Sequence, residues 1–205
     1  MLAMKIKFGR SQNKAKHRSR PHHFIAAWIR SPLQVGACLP SSRGLARAMA
    51  SQVDAKISGA VIELGAGTGA VTQALLHAGI APERLMIVER DERLHSLVSK
   101  HFPQLNVMRA DAAKLDEVLQ EEGIKKVSAI VSSLPLLSMP KAIRDAIEHQ
   151  MLTLIEEQGV LIQFTYGPKS PISRAQLHKY HLQGKRAKLV VGNVPPAHVW
   201  VYKKA

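Results

Sequence analysis

The segment Glu63-Leu64-Gly65-Ala66-Gly67-Thr68-Gly69 carries the clearest chemistry in the chain. Glycines at alternate positions let a backbone turn come close to a bound molecule. The spacing is GxGxG, not the GxGxxG of dinucleotide sites. Glu63 stands directly before the turn. A carboxylate there repels a pyrophosphate and suits a ligand with a positively charged end. Two more acids, Glu89 and Asp111, each follow a short apolar run. Glu89 can accept from both hydroxyls of a ribose, and Asp111 from an adenine amino group.

For these three acids to meet, each must end a neighbouring parallel strand, because open α/β sheets bind ligands at the carboxyl edge. The chain alternates accordingly. Strands are expected at Val61–Leu64, Leu85–Val88, Leu105–Met108, Val127–Val131 and Val160–Thr165. Helical patterns lie between them, through Val71–Gly79, Glu92–Lys100, Lys114–Gln120 and Lys141–Glu156. The expected fold is α/β, Rossmann-like and doubly wound, with a mainly parallel sheet. After a short helix over Arg174–His181, Ala187–Val191 and His198–Tyr202 read as two strands. The brief link Asn193-Val194-Pro195-Pro196 suits an antiparallel hairpin. Upstream, Phe24, Ile25, Trp28 and Ile29 fall on one face of a short amphipathic helix. A second helix through Leu45, Ala46 and Met49 could be capped by Ser41 or Ser42. This divides the chain into a basic arm (1–21), amphipathic N-terminal helices (22–53) and a catalytic domain (54–205).

Glu63 to Gly69, Glu89 and Asp111 resemble motifs I, II and III of the class I S-adenosylmethionine-dependent methyltransferases. The resemblance implies their seven-stranded sheet and S-adenosylmethionine as cofactor, held by Glu63, Gly65, Gly67, Gly69, Glu89, Asp111 and Ser133. In that superfamily the loop after the fourth strand faces the reactive methyl. Here it reads Ser133-Leu134-Pro135-Leu136. Enzymes that methylate nucleic-acid amino groups usually have an aromatic ring where this chain has Leu136, and stack it on the flipped base. An aliphatic acceptor needs no such ring. This loop, Tyr166-Gly167-Pro168-Lys169, Asn193-Val194-Pro195-Pro196-Ala197-His198-Val199-Trp200 and the upstream Trp28-Ile29-Arg30-Ser31-Pro32 resemble the bacterial phospholipid N-methyltransferases. That implies phosphatidylethanolamine and its methylated intermediates as acceptors, a membrane-binding N-terminal helix, and a cytoplasmic enzyme peripheral on the inner membrane. Two departures stand out: a long basic arm, and Ser133 where the family often has Gly.

Charge agrees with an anionic partner. The net charge is +14, and all 15 acids lie between Asp54 and Glu157. The flanking segments hold eighteen of the 29 Lys and Arg residues. A basic surface near anionic lipid or RNA phosphates gains electrostatic attraction. A surface kept basic only for solubility is the bland alternative, and it is disfavoured because both basic segments flank the candidate active site. The single Cys38 excludes an intrachain disulfide, and no apolar run reaches the length of a membrane span.

Methylating an amine requires a neutral nitrogen, so a proton must leave. Tyr166, His178 and His181 are the candidate proton acceptors or orienting groups. Leu134, Pro135, Leu136, Lys169 and Arg174 are candidates for contacting the substrate. His178 and His181 lack a third ligand, so no metal site is expected. Two other readings remain at this level: an RNA methyltransferase of the dimethyladenosine kind, and a non-catalytic basic membrane- or RNA-binding module.

Overall fold

The computed structural model describes residues 42–205. The basic arm and the helix expected at Phe24–Ile29 lie outside the described residues. Seven strands form one sheet: β1 (Ala60–Leu64), β2 (Leu85–Val88), β3 (Asn106–Met108), β4 (Val127–Ser132), β5 (Val160–Thr165), β6 (Leu182–Val190) and β7 (Ala197–Lys204). Their spatial order is β3-β2-β1-β4-β5-β7-β6. The first five are parallel, while β7 runs antiparallel between β5 and β6. The expected fold class is the observed one.

Among the described residues, six α-helices connect or flank the strands: α1 (Arg43–Ala50), α2 (Ala70–His77), α3 (Glu92–His101), α4 (Leu115–Glu121), α5 (Lys141–Thr153) and α6 (Arg174–Lys179). Strands β1, β2, β4 and β5 are covered on both faces, so each reads as an unbroken buried run rather than an alternation. One face packs Val61, Ile87, Val131 and Ile162 against α1 and α2. The other packs Ile62, Leu64, Ile130 and Leu161 with side chains of α4 and α5.

Helix α1 was grouped by sequence with an amphipathic N-terminal unit. It buries Leu45, Ala46, Ala48, Met49 and Ala50 in the same core as the sheet. Ser42 caps it, accepting from the Leu45 amide at 3.2 Å.

Strand β6 is longer than its sequence indicates. After the buried Leu182, its residues Gln183, Gly184, Lys185 and Arg186 are exposed on the sheet's edge and carry no alternating apolar signal. Charges on an edge strand also block pairing with another chain. Among the described residues, no helix is long and apolar enough to cross a membrane.

Candidate active site

The carboxyl ends of β1, β2, β3 and β4 meet at one edge, and they bring the predicted acids with them. Glu63 is fully buried on β1. Its Oε2 accepts from the Thr72 hydroxyl of α2 at 2.7 Å, while Oε1 has no partner. Burial pushes its carboxyl up to about 7, against the partial compensation of the Thr72 bonds. A buried acid with one unsatisfied oxygen fits a ligand bearing positive charge.

Glu89 directly follows β2 and is 7% exposed. Its Oε2 accepts from the Gly67 amide at 3.1 Å and its Oε1 from the Asp91 amide at 3.0 Å. The acid thus braces the glycine turn, and each oxygen keeps a second lone pair for a ribose hydroxyl. Asp111 follows β3. Its Oδ1 accepts from the Ala113 amide at 3.0 Å, and its Oδ2 lies 3.8 Å from Arg90. Ser133 donates its amide to the Leu64 carbonyl at 2.9 Å, closing β4 onto β1. Its buried hydroxyl has no partner. The Glu63 oxygen and this hydroxyl are two unsatisfied polar atoms at neighbouring strand ends. Together with the glycine turn they fit S-adenosylmethionine.

The glycine turn separates two kinds of close approach. Gly69 has φ +84, and a Cβ there would come within 2.6 Å of the Phe102 ring. Gly67 has φ +57, and a Cβ there would meet nothing within 4 Å. Gly69→Ala is therefore expected to cost about 2–4 kcal/mol of stability, from left-handed strain plus overpacking. Gly67→Ala is expected to cost about 1 kcal/mol but to place a methyl in the ligand's space. Denaturant titration and cofactor calorimetry on both variants check this contrast.

The same edge continues across the ends of β4 and β5 and the start of β7. Gln163 on β5 donates its amide to the Leu134 carbonyl at 2.9 Å, anchoring the loop after β4. Leu134 packs over Gly65. Leu136 is 1% exposed and turned into the core, so it does not line the edge; Pro135 remains half-buried. Tyr166 stands just past β5, edge-on to Phe164 at 5.4 Å.

His178 and His181 are not brought to this edge. Strand β6 starts at the opposite side of the sheet, with Leu182 paired to Lys204, and His181 immediately precedes it. His178 lies on α6, which packs through Leu177 against Gly184 in the remote half of β6. Arg174 is exposed at the start of that helix, while Lys169 is exposed in the loop leaving β5.

One residue that sequence reasoning passed over does lie at the edge. His198 is the second residue of β7 and pairs with Thr165, the last residue of β5. It shares a face with Trp200, which pairs with Gln163. The atoms His198 Nδ1, Trp200 Nε1 and Gln163 Oε1 are all buried without partners. Burial, and secondly the nearby Arg186, hold the His198 imidazole below its ordinary pKa. The signal was present in Ala197-His198-Val199-Trp200, but using it required knowing that β7 runs antiparallel beside β5. Among the described residues, no cluster of His, Cys, Asp and Glu could hold a metal.

No family model matches the chain. The ornithine lipid N-methyltransferase of Singulisphaera acidiphila is 26% identical over 148 residues, 71% of this chain and 77% of that one. A ribosomal RNA small subunit methyltransferase A from Chlorobium limicola is 31% identical over 83 residues, 40% of this chain and 30% of its own length. The chain spans less than half of each ribosomal RNA methyltransferase it matches. Among solved structures, magnesium protoporphyrin IX methyltransferase from Synechocystis, with bound S-adenosylmethionine, superposes with a TM-score of 0.60. The two are 13% identical, over 91% of this chain and 98% of that one.

Proposed function

We propose that this chain, an S-adenosylmethionine-dependent methyltransferase, methylates the amine of a membrane lipid. The acceptors are phosphatidylethanolamine and its methylated intermediates. The observation that carries this reading is the loop after β4. It presents Ser133, Leu134 and Pro135, and its Leu136 is buried in the core. A flipped base would find no stacking ring at that position, whereas an acyl-bearing acceptor loses nothing there. A relative matched over most of both chains is named for a lipid N-methyltransferase, which supports the same acceptor class.

S-adenosylmethionine, when bound, supplies an electrophilic methyl on a sulfonium. The chain's own residues position the acceptor and manage its proton. Glu63 and Glu89 hold the cofactor end of the edge. Gln163 and the Leu136 amide both donate to the Leu134 carbonyl, at 2.9 and 3.0 Å, which fixes the loop beside the acceptor. His198 takes the proton that the head-group ammonium must lose, directly or through water. An imidazole held below its ordinary pKa is neutral at pH 7, which is the form that accepts. Tyr166 orients the acceptor from the end of β5.

His198→Gln is expected to lower kcat by about 10- to 100-fold, in the range of a positioned base. Cofactor affinity should not change. The wild-type rate should fall on the acid side as His198 protonates, with Arg186 the charged neighbour that delays this. The variant should lose that acid limb. An unchanged profile with an unchanged rate would remove His198 from the mechanism.

Expression in a bacterium that makes no phosphatidylcholine tests the acceptor. Methylated ethanolamine lipids are expected in the extract. Unaltered lipids alongside newly methylated ribosomal RNA would reverse the assignment.

A further inference from the structure

We infer that the rim of the site formed by the β6–β7 turn and the start of α5 is a docking surface for an anionic lipid bilayer. The inference rests on the lipid-amine reading above, and deepens it by locating the membrane contact on the folded domain.

Five large apolar side chains are exposed among the described residues: Leu137, Ile143, Leu189, Val191 and Val194. All five sit at the sheet edge that carries the acids. Leu137 lies in the loop leaving β4, and Ile143 in the first turn of α5. Leu189 pairs with His198 at the end of β6. Val191 and Val194 lie in the turn beyond, and are 71% and 74% exposed. Strands β4 and β6 are three positions apart in the sheet, about 14 Å at the usual spacing. Scattered exposed apolar residues are ordinary, but their confinement to one edge around a binding site marks an interaction surface.

The turn is held in place. Asn193, between the two valines, is buried. Its Oδ1 accepts from the Ser42 amide at 3.1 Å, and its Nδ2 donates to the Pro195 carbonyl at 2.8 Å. Val191 and Val194 are thus displayed by a braced loop.

Charge selects the occupant. No Asp or Glu follows Glu157 in the sequence. Exposed Lys188 lies on β6 near the turn, and Arg43 opens α1, whose Gly44 abuts Val190. Neither makes an ion pair among the described residues. Ser42, the first described residue, is bonded to Asn193 at this same edge. Apolar side chains that enter the interface, ringed by cations that meet anionic head groups, match a bilayer. RNA would use the cations and leave the valines unexplained.

The test is flotation of the full chain with vesicles of phosphatidylethanolamine and phosphatidylglycerol. Val191→Ser with Val194→Ser is expected to lower vesicle binding about tenfold, from the apolar area withdrawn. Val194→Trp is expected to raise it. S-adenosylmethionine affinity, and methylation of a short-chain lipid amine dissolved as monomer, should stay at wild-type values in both. Loss of monomer methylation in the wild type would refute the lipid-amine reading and leave vesicle binding to be judged separately. Vesicle binding indifferent to all these substitutions would overturn the docking surface and leave the contact to residues 1–41. So would a dimer that the Ser variant dissociates, or RNA binding that the Ser variant abolishes.

Discussion

Replacing Glu89 by alanine is expected to lower S-adenosylmethionine affinity by two to three orders of magnitude. The carboxylate braces the turn through Gly67 and the chain reversal through Asp91. Its remaining lone pairs are the acceptors available to a ribose at the end of β2. Hydrogen bonds to a charged group contribute about 1.5–3 kcal/mol each, so losing two at the lower end of that range costs about 3–4 kcal/mol. The backbone amide of Gly67 also loses its partner, so the turn loosens where the ligand needs it fixed. Calorimetric titration measures the effect. Wild-type affinity in Glu89→Ala would refute the assignment of Glu89 to the ribose.

Glu63→Gln is expected to move two observables in opposite directions. The ligand-free protein should become more stable at pH 8, while S-adenosylmethionine should bind at least about tenfold more weakly, the loss of one charge-assisted contact. The physical reason is linkage. Burial raises the folded pKa from 4.5 to about 7. The contribution of Glu63 to stability is therefore fully present below pH 4.5 and is lost as pH rises through about 7. At 1.36 kcal/mol per unit, that gap is worth roughly 3 kcal/mol. Glutamine has no charge to bury, and Thr72 can still bond it. A cationic ligand favours the ionised carboxylate, so cofactor affinity in the wild type should rise with pH across the interval from about 5 to 7, with proton release. Thermal melts and titrations at pH 5 and pH 8 check both signs. A less stable variant with unchanged affinity would make Glu63 a packing residue.

The convergence of the acids on one edge was legible in the chain because each follows an apolar strand. Val61–Leu64 and Leu85–Val88 are short, wholly buried runs, and an acid at the end of each has one place to go. The rest of the edge was harder to read. A six-residue helix such as α6 carries too little periodicity to say where it packs, so His178 and His181 were candidates until β6 placed them at the far edge. His198 became visible only through the β5–β7 register, a long-range pairing that no local pattern encodes. Leu136 stands where an aromatic would stack in nucleic-acid enzymes, and its type was informative although its side chain enters the core. The start of β6 was hidden because an edge strand facing solvent looks like a charged loop.

The acceptor is tested most directly by offering the purified protein methyl-labelled S-adenosylmethionine together with phosphatidylethanolamine vesicles and ribosomal RNA, and separating the two phases. Label is expected in the lipid phase, on mono-, di- or trimethylated head groups, and absent from the RNA. Label in the RNA with unmodified lipid would contradict the account.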